Sequence, residues 1–358
     1  MTTNSESALI HTLLADAVQS QRRAVDWITQ HVSDSGEPEG GTDSVSWFRV
    51  PWALSVGGAP VLGARVLGWA KRTALTPEGG FRSGLQLGFP GMSPVYELAG
   101  LAIGAWRYDD YGLAQRILDT CTQYQSPQTG GVYDQAVRDG EYGTEQDLLK
   151  TAQLGMAALV TGRRDIADQI YVWMSELWQG QRAFPRVLQA IRNDEGRIVE
   201  IAPNEERTRV FLNRVDFSQP RQAFYLPGIA AAFALNYAST TGRNEATTLG
   251  QQFLALNRDG TEAQFDDINS VQICKYGWGL ACEVRYNPAT QWLPEAVRMV
   301  RWFMQRQATD GSWSPSTFLR QEPSISDKLS KTAEHLMELS QLIDALSGSG
   351  QTVFSDVR

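Results

Sequence analysis

One glycine–aromatic signal recurs along this chain at a spacing of about fifty residues. Gly-Gly-Phe ends at Phe81, Gly-Gly-Val-Tyr ends at Tyr133, and Gly-Ser-Trp ends at Trp313. Phe184, which follows Gly180, and Phe265, which follows Gly260, fill two further positions of the repeat. The step from Phe81 to Tyr133 is 52 residues, that from Tyr133 to Phe184 is 51, and that from Phe265 to Trp313 is 48. The 81-residue step from Phe184 to Phe265 is longer, which indicates an insertion. Such a period is typical of one supersecondary unit used repeatedly.

Two helical segments of different character lie between successive signals. Segments of the first kind are rich in small and apolar residues on all sides, which predicts that these helices are buried. Their partners are amphipathic. Six of each kind predict an all-α fold, an (α/α)6 toroid with an inner ring of six helices inside an outer ring of six. The predicted inner helices are 46–56, 92–106, 145–161, 221–240, 266–285 and 328–346, and the outer helices are 8–32, 59–75, 110–124, 163–178, 244–258 and 288–307.

Loop lengths predict on which face of the ring a site would lie. Connections from an inner helix to the following outer helix are short, as at Gly57-Gly58, whereas those from an outer helix to the next inner helix are long. In a closed ring all long loops share one face, and such loops often carry function. The insertion at about 185–220 contains two β-prone stretches, 197–201 and 207–211, which predict a small β-hairpin near 196–212. The repeat runs nearly end to end, so we expect one domain over 1–358.

Composition restricts the partners and the compartment. With 42% hydrophobic and 20% charged residues, the 358-residue chain is typical of a globular protein with a large core. A net charge of −8 argues against nucleic acid as a partner. Because no run of 18 apolar residues and no signal peptide are recognisable, we expect no stable membrane insertion and a cytoplasmic location. The three cysteines indicate no disulfide framework. The oligomeric state is not predicted.

The last repeat resembles a known sequence pattern. In residues 305–313, Gln-Arg-Gln-Ala-Thr-Asp-Gly-Ser-Trp, a Gln is followed by Gly-x-Trp, similar to the repeat of squalene-type cyclases, and residues 125–133 are a degenerate copy. The whole pattern resembles the α/α toroid of terpenoid cyclases and protein prenyltransferases. Six-fold α/α rings also occur in sugar epimerases, unsaturated-glycoside hydrolases and polysaccharide lyases. The resemblance therefore implies a fold and leaves several reactions open.

The catalytic motifs of those families are not retained. The DxDD motif with which squalene-type cyclases protonate a double bond is absent. Residues 266–270 resemble the start of the second magnesium motif of class I terpene synthases, but Cys274 stands where that motif has Glu. Cys274 and His335 fit the layout of zinc ligands in the prenyltransferase β subunit, but the family's Asp is Gln272 here, a poor zinc ligand. We therefore predict no zinc, no magnesium and no other cofactor.

Polar residues near the start of the inner helices predict a site under the long loops. On the fifth inner helix Asp267, Lys275 and Trp278 share one stripe, which would place a carboxylate and an ammonium above an aromatic wall. Burial would raise the pKa of the Asp and lower that of the Lys, as acid–base chemistry requires. Alternatively, Asp267 caps the helix and Lys275 pairs with a neighbouring helix. Both interpretations remain open on the sequence alone.

The start of the fourth inner helix contains further candidate residues. Arg221 and Tyr225 are four residues apart on one face of an apolar helix, and a buried Arg needs a partner such as Asp216 or a substrate carboxylate. The predicted catalytic residues are Asp147, Asp216, Asp267, Lys275 and Tyr225, and the predicted substrate-binding residues are Arg221, Trp47, Arg49, Tyr133, Trp278 and His335.

Three functions compete for such a chain. The leading hypothesis is an enzyme of specialised metabolism that cyclises or isomerises an elongated, largely apolar small molecule (a terpenoid, meroterpenoid or polyketide) in the central cavity. Aromatic walls would stabilise positive charge while an acid moves a proton. The alternative is a carbohydrate-active lyase, hydrolase or epimerase that uses a pair of carboxylates. A third hypothesis is a non-catalytic toroid, which an axis plugged by apolar side chains would favour.

Overall fold

The computed structural model describes residues 3–88, 91–135 and 143–355, and twelve of the helices in those ranges form two rings. The inner helices are α2 (Val50–Gly57), α4 (Val95–Arg107), α6 (Leu148–Val160), α9 (Tyr225–Thr241), α12 (Cys274–Tyr286) and α14 (Ile325–Ser355). The outer helices are α1 (Thr3–Gln30), α3 (Pro60–Thr73), α5 (Tyr111–Thr122), α7 (Arg164–Gln179), α10 (Asn244–Arg258) and α13 (Leu293–Arg306). Two short helices, α8 (Arg207–Asn213) and α11 (Ala263–Asp266), and four strands, β1 (Glu145–Asp147), β2 (Val187–Gln189), β3 (Ile191–Asn193) and β4 (Arg214–Asp216), lie in the connections.

The inner helices form a closed ring. Each packs against the next in the order α2, α4, α6, α9, α12 and α14, and α14 packs back against α2. Each outer helix packs against the inner helix before it in the chain, except α1, which packs against α14. This arrangement confirms the predicted all-α (α/α)6 toroid. Several inner helices begin later than predicted: α2 starts at Val50 and α12 at Cys274.

The glycine–aromatic repeat has a common structural cause. Gly79 and Gly130 have φ angles of 94° and 81°, and each glycine follows one outer helix and lies against the next. A Cβ atom on Gly79 would lie 2.7 Å from the backbone nitrogen of Ile117 in α5, and one on Gly130 would lie 2.7 Å from the carbonyl oxygen of Gln169 in α7. The repeat therefore marks turns that only glycine can form at this distance from the next outer helix. Gly36 and Gly311 make the same approach to α3 and α1, respectively.

Small residues let the inner helices approach one another closely. A Cβ atom on Gly228 of α9 would lie 2.2 Å from the backbone carbonyl carbon of Lys275 in α12. A Cβ atom on Gly279 of α12 would lie 2.9 Å from the carbonyl oxygen of Gly228. The backbones of α9 and α12 are therefore in direct contact, which fixes where the first turn of α12 presents its side chains.

Short antiparallel strand pairs cover the long-loop face, but not at the predicted positions. β1 pairs with β3, and β2 pairs with β4. The stretch 207–211, predicted as a strand, belongs to helix α8, because the Glu206 side chain accepts hydrogen bonds from the backbone nitrogens of Thr208 and Arg209 and so caps a helix. The stretch 197–201 contributes a single bridge, between Ile198 and Arg192.

Two further observations concern the whole of the described chain. Cys121, Cys274 and Cys282 are buried free thiols. None of the helices within residues 3–88, 91–135 and 143–355 combines the length and apolar character needed to cross a membrane.

Candidate functional site

Four charged side chains meet at the centre of the inner ring. Arg49 at the N-cap of α2, Lys275 in the first turn of α12 and Lys331 on α14 all contact the carboxylate of Glu334 on α14. Arg49 Nη2 lies 3.2 Å from Glu334 Oε1, Lys275 Nζ pairs with the same oxygen, and Lys331 Nζ pairs with Oε2. We call Arg49, Lys275, Lys331 and Glu334 the axial cluster. Three helices thus contribute to one ionic network.

Two tyrosines complete this level of the ring. Tyr96 OH accepts a hydrogen bond from Arg49 Nη2. Lys275 Nζ lies 5.2 Å from the ring centroid of Tyr225 and 5.8 Å from that of Tyr96. Because α4 and α12 stand on opposite sides of the ring, the approach of Lys275 to Tyr96 spans the axis. Side chains therefore fill the centre of the toroid at this level. Burial raises the pKa of both phenols, so both are neutral at neutral pH.

The axial cluster is fully ionised. Burial raises the pKa of the Glu334 carboxyl, but attraction to Arg49, Lys275 and Lys331 outweighs burial and holds that pKa well below its ordinary value. Burial lowers the pKa of the Lys275 ammonium, but attraction to Glu334 prevails and that pKa is raised. The pKa values of Lys331 and Arg49 are raised for the same reason. At neutral pH the cluster consequently holds three cations and one anion.

Glu338 lies one helical turn beyond Glu334 on α14. Its side chain has no exposed surface, and neither carboxyl oxygen has a hydrogen-bond partner among the described residues. Burial, and then repulsion from Glu334, raise its pKa to about 8, despite the nearby cations of the axial cluster. Glu338 is therefore a neutral carboxylic acid at neutral pH. Two glutamates one turn apart thus have pKa values shifted in opposite directions, an arrangement that separates acid and base roles.

Two tryptophans meet in front of α14 at the level of Glu338. Trp52 follows Arg49 by three residues on α2, and Trp278 follows Lys275 by three on α12, so each lies about one turn deeper than the axial cluster. Their ring centroids are 5.5 Å apart, with an interplanar angle of 72°. Since α2 and α12 flank α14 on its two sides, buried indoles that touch must meet on the axis side of α14.

This deeper level also contains polar groups without partners. Trp52 Nε1 is buried and makes no hydrogen bond to a described residue. The same holds for Nε2 of Gln153, which lies three residues beyond Lys150 on α6. With Glu338, this level offers two donor groups, one indole N–H and one amide NH2, and one carboxylic acid beside an aromatic surface. Buried polar groups are normally paired, so unpaired ones mark a place where a ligand could bind.

A second group of carboxylates lies near the start of α6. Asp147 caps that helix, since its carboxylate accepts a hydrogen bond of 2.7 Å from Lys150 N and pairs with the Lys150 ammonium. Asp134 is buried, and its Oδ1 has no partner in the described ranges. Burial, and then repulsion from Asp147, raise the pKa of Asp134 to about 7. We call Asp134 and Asp147 the α6 carboxylates.

The structure divides the predicted site residues between the axis and other places. Arg49, Lys275 and Tyr225 share the axial level, and Trp278 lies beneath them. The interpretation that Lys275 pairs with a neighbouring helix is the one the structure shows, and the partner is Glu334. Asp147 lies in the adjacent α6 carboxylates.

Arg221 and Asp267 pair with each other at the rim. Arg221 Nε lies 2.9 Å from Asp267 Oδ2, and about half of the Arg221 side chain (48%) is exposed. Arg221 therefore has Asp267, and not the predicted Asp216, as its partner. Asp216 instead accepts hydrogen bonds from Ser218 and contacts Arg214 at 3.3 Å.

The remaining predicted residues occupy packing positions. Trp47 packs edge-on against Trp69 of outer helix α3, with ring centroids 5.2 Å apart, so it lies between the two rings of helices. The Tyr133 carbonyl oxygen accepts a hydrogen bond from Ser93 Oγ. The buried His335 ring is enclosed by the aromatic rings of Trp302, Phe303 and Trp313.

The resemblance to prenyltransferases raises the question of a zinc site, and the donor set does not fit one. Ligand atoms of Cys274, Glu334 and His335 lie within 4.8 Å of one another. However, the Glu334 carboxylate is already bound by three cations, so a divalent ion would face their repulsion. Burial raises the pKa of the Cys274 thiol, which disfavours the thiolate that zinc requires. Gln272 donates its amide hydrogen bond to Ser316 Oγ. The absence of zinc stays a prediction.

Sequence reasoning missed the α14 residues, although a signal was present. Lys331, Glu334 and Glu338 recur at intervals of three and four residues, which places them on one face of a helix. The prediction assigned this helix to the buried inner ring. A charged stripe on a helix that must be buried indicates a polar axis, and this stripe identifies both the axial cluster and Glu338.

Comparisons with known proteins identify structures of the same fold but do not identify the reaction. No protein-family model matches the chain, and no curated protein matches it. Among solved structures, the GH76 α-mannanase of Bacteroides thetaiotaomicron is similar at 11% identity, with 95% of this chain and 97% of that chain covered and a TM-score of 0.61. A D-mannose isomerase is similar at 11% identity, with coverage of 95% and 97% and a TM-score of 0.60.

The third of these structures comes from a different class of enzyme. A type II terpene cyclase from Scytonema is similar at 12% identity, with 94% of this chain and 99% of that chain covered and a TM-score of 0.57. At such identities the likeness shows the fold alone. The chain thus has the (α/α)6 toroid fold found in a terpene cyclase and in carbohydrate-active enzymes, as the sequence pattern predicts.

Proposed function

We propose that this protein is an enzyme in which Glu338 donates a proton to a small molecule bound along the toroid axis. The observation that carries the proposal is the state of Glu338: fully buried, unpartnered among the described residues, and neutral at neutral pH. A general acid must hold its proton at the working pH. Burying an unpaired carboxyl group costs stability, which selection for folding alone would not favour.

The reaction class that fits best is cyclisation or isomerisation of an elongated, largely apolar substrate of specialised metabolism. Protonation of a carbon–carbon double bond uses its π electron pair for the new C–H bond and leaves a carbocation. The faces of Trp52 and Trp278 would stabilise that cation. In a cyclisation a second double bond supplies the electron pair for the ring bond, and loss of a proton to the Glu338 carboxylate restores the acid.

Access to Glu338 requires movement at the axial level. The rings of Tyr96 and Tyr225 approach Lys275 from two sides and are themselves only partly buried. A substrate that enters from the long-loop face would displace these rings on its way to the deeper level. Terpenoids, meroterpenoids and polyketides are the substrate classes that fit such a path. The complex of the Scytonema type II terpene cyclase contains geranylgeranyl dihydroxybenzoate, and a similar meroterpenoid is one candidate here.

Sugar chemistry is the second candidate, and the α6 carboxylates favour it. Asp134 has a pKa of about 7 beside Asp147, so this pair could supply one acid and one base. Mannanases and a mannose isomerase share the fold. A purely binding toroid is less well supported, because the axis holds charged groups and not the apolar plug that this hypothesis requires.

Matched neutral substitutions at the two acids test the proposal. Glu338→Gln and Asp134→Asn would be assayed beside wild type on geranylgeranyl dihydroxybenzoate, geranylgeranyl diphosphate and α-1,6-mannotetraose. We expect Glu338→Gln to lower turnover of an isoprenoid substrate by about 10² or more, the usual contribution of a general acid, and Asp134→Asn to change it little. Turnover of the mannoside that depends on Asp134 would support the second candidate. Turnover that neither substitution changes, or no turnover of any substrate by wild type, would count against the proposal.

A further inference from the structure

The axial cluster carries more positive than negative charge. Arg49, Lys275 and Lys331 contact the single carboxylate of Glu334, which leaves two positive charges in excess. Arg49 and Lys275 are buried to the same degree as Glu334, with side-chain exposures of 5%, 4% and 4%. Desolvated cations without a counter-ion are costly, and burial limits how much water can screen them.

Neighbouring groups do not remove this excess. Lys150 and Asp147 pair with each other and contribute no net charge. Glu338 contributes none, because burial and Glu334 keep it protonated. Burial raises the pKa of Glu97 and outweighs the attraction to Lys150 and Arg49, which lowers it. Even with Glu97 counted as ionised, one positive charge remains uncompensated at this level.

The axial cluster also has more hydrogen-bond donors than its acceptors can use. One guanidinium and two ammonium groups carry about eleven N–H donors in all, whereas one carboxylate offers about four lone pairs. Arg49 directs one bond to Tyr96 OH, and the three cations share the two oxygens of Glu334. The cluster can therefore accept a second oxyanion without giving up the first.

We propose that the axial cluster binds a carboxylate at one end of the substrate, so that the substrate is an apolar molecule with an anionic head. With Glu97 counted as ionised, the one remaining positive charge matches a carboxylate better than a phosphate monoester, which carries nearly two negative charges at neutral pH. The same three cations already surround the Glu334 carboxylate. This inference rests on the proposed function and specifies its substrate class.

The position of the head also determines which part of the substrate reacts. Glu338 and the Trp52–Trp278 pair lie one helical turn below the axial cluster, a depth of about 5.4 Å. A carboxylate bound by the cluster would place the first few atoms of its apolar chain against the indoles. The double bond that receives the proton would then lie near the head of the substrate and not at its far end.

Binding of simple probes distinguishes the contribution of the anionic head to affinity from that of the apolar chain. Dodecanoate, dodecyl phosphate, dodecanol and acetate would be titrated into the full chain by calorimetry. We expect dodecanoate to bind at least tenfold more tightly than dodecanol, as loss of a charged hydrogen bond would produce. Equal affinity for dodecanoate and dodecanol, tighter binding of dodecyl phosphate, or no binding of dodecanoate would overturn the proposal. Acetate is expected to bind far more weakly than dodecanoate, because it lacks the chain.

Two methionine variants on α14 locate the binding group. Lys331→Met removes the least buried cation of the cluster, with a side-chain exposure of 18%, and should lower the preference for dodecanoate over dodecanol by about tenfold. Lys328→Met, one turn earlier on the same helix, removes a cation that interacts with Asp310 and should leave the preference unchanged. Lys331→Arg keeps the positive charge and should retain most of the preference for dodecanoate. An unchanged preference in a folded Lys331→Met protein would contradict the assignment.

The binding test is independent of catalysis. Glu338→Gln removes the proton donor but leaves all four residues of the axial cluster in place. We expect this variant to bind dodecanoate as wild type does while it fails to turn over substrate. Binding of dodecanoate together with full turnover by Glu338→Gln would overturn the proposed acid and leave the carboxylate site intact.

Discussion

At the scale of residues, the informative contrast is between Glu334 and Glu338. They are four apart on α14, and both are buried. Three cations bind Glu334 and keep it ionised, whereas Glu338 has no described hydrogen-bond partner and keeps its proton. A change of one helical turn thus decides whether a buried glutamate is an ionised counter-ion or keeps its proton, because burial and nearby charges together set the pKa.

The raised pKa of Glu338 has a consequence for stability. Its folded-state pKa of about 8 exceeds the value of about 4.3 for an unfolded glutamate, so its contribution to stability is full below the unfolded pKa and is lost progressively as pH rises from there to about 8. Glu338→Gln has no proton to lose. We expect its free energy of unfolding in urea to match that of wild type near pH 5 and to exceed it by more than about 1 kcal/mol at pH 8. A difference that stays constant from pH 5 to pH 8 would contradict the raised pKa.

At the scale of elements, close helix packing positions the first turn of α12. Gly228 of α9 faces the backbone of Lys275, and a Cβ there would approach it to 2.2 Å. Gly228→Ala should therefore destabilise the fold by about 1–3 kcal/mol or more, as overpacking does. Gly68→Ala in outer helix α3 is the matched control, since its Cβ would meet only the flexible Arg72 side chain. Urea unfolding should show no loss for Gly68→Ala, and equal stability of both variants would argue against direct contact of the α9 and α12 backbones.

The helices and strands also show which sequence signals were sufficient to predict the fold. Glycines such as Gly79 and Gly130 carry the repeat because their turns touch the next outer helix, so the repeat reports ring geometry directly. The strand prediction for 207–211 was wrong, because β-propensity depends on context and a capping side chain at Glu206 favours a helix. Local propensity could not reveal that the start of α6, as β1, pairs with β3.

For the molecule as a whole, the fold could be predicted from the sequence, whereas the site could be predicted only in part. Alternation of apolar and amphipathic helices with long and short loops is repeated around the ring, so errors at single elements do not change the topology. The site depends on which side chains from different helices meet. Arg49 and Lys275 were predicted, but their common partner Glu334 is 59 residues from Lys275, and no local pattern links them. Arg221 and Asp267 were predicted for the axis, yet they meet at the rim.

The ionisation of Glu338 can itself be measured by infrared spectroscopy. Infrared spectra of wild type and Glu338→Gln, recorded from pH 5 to pH 10, would give a difference band for one protonated carboxyl group. We expect that band to be present at pH 7 and to disappear with a midpoint near pH 8, because burial and Glu334 hold the proton on Glu338. A band that is already absent at pH 7 would show that Glu338 is ionised there and could not serve as the acid.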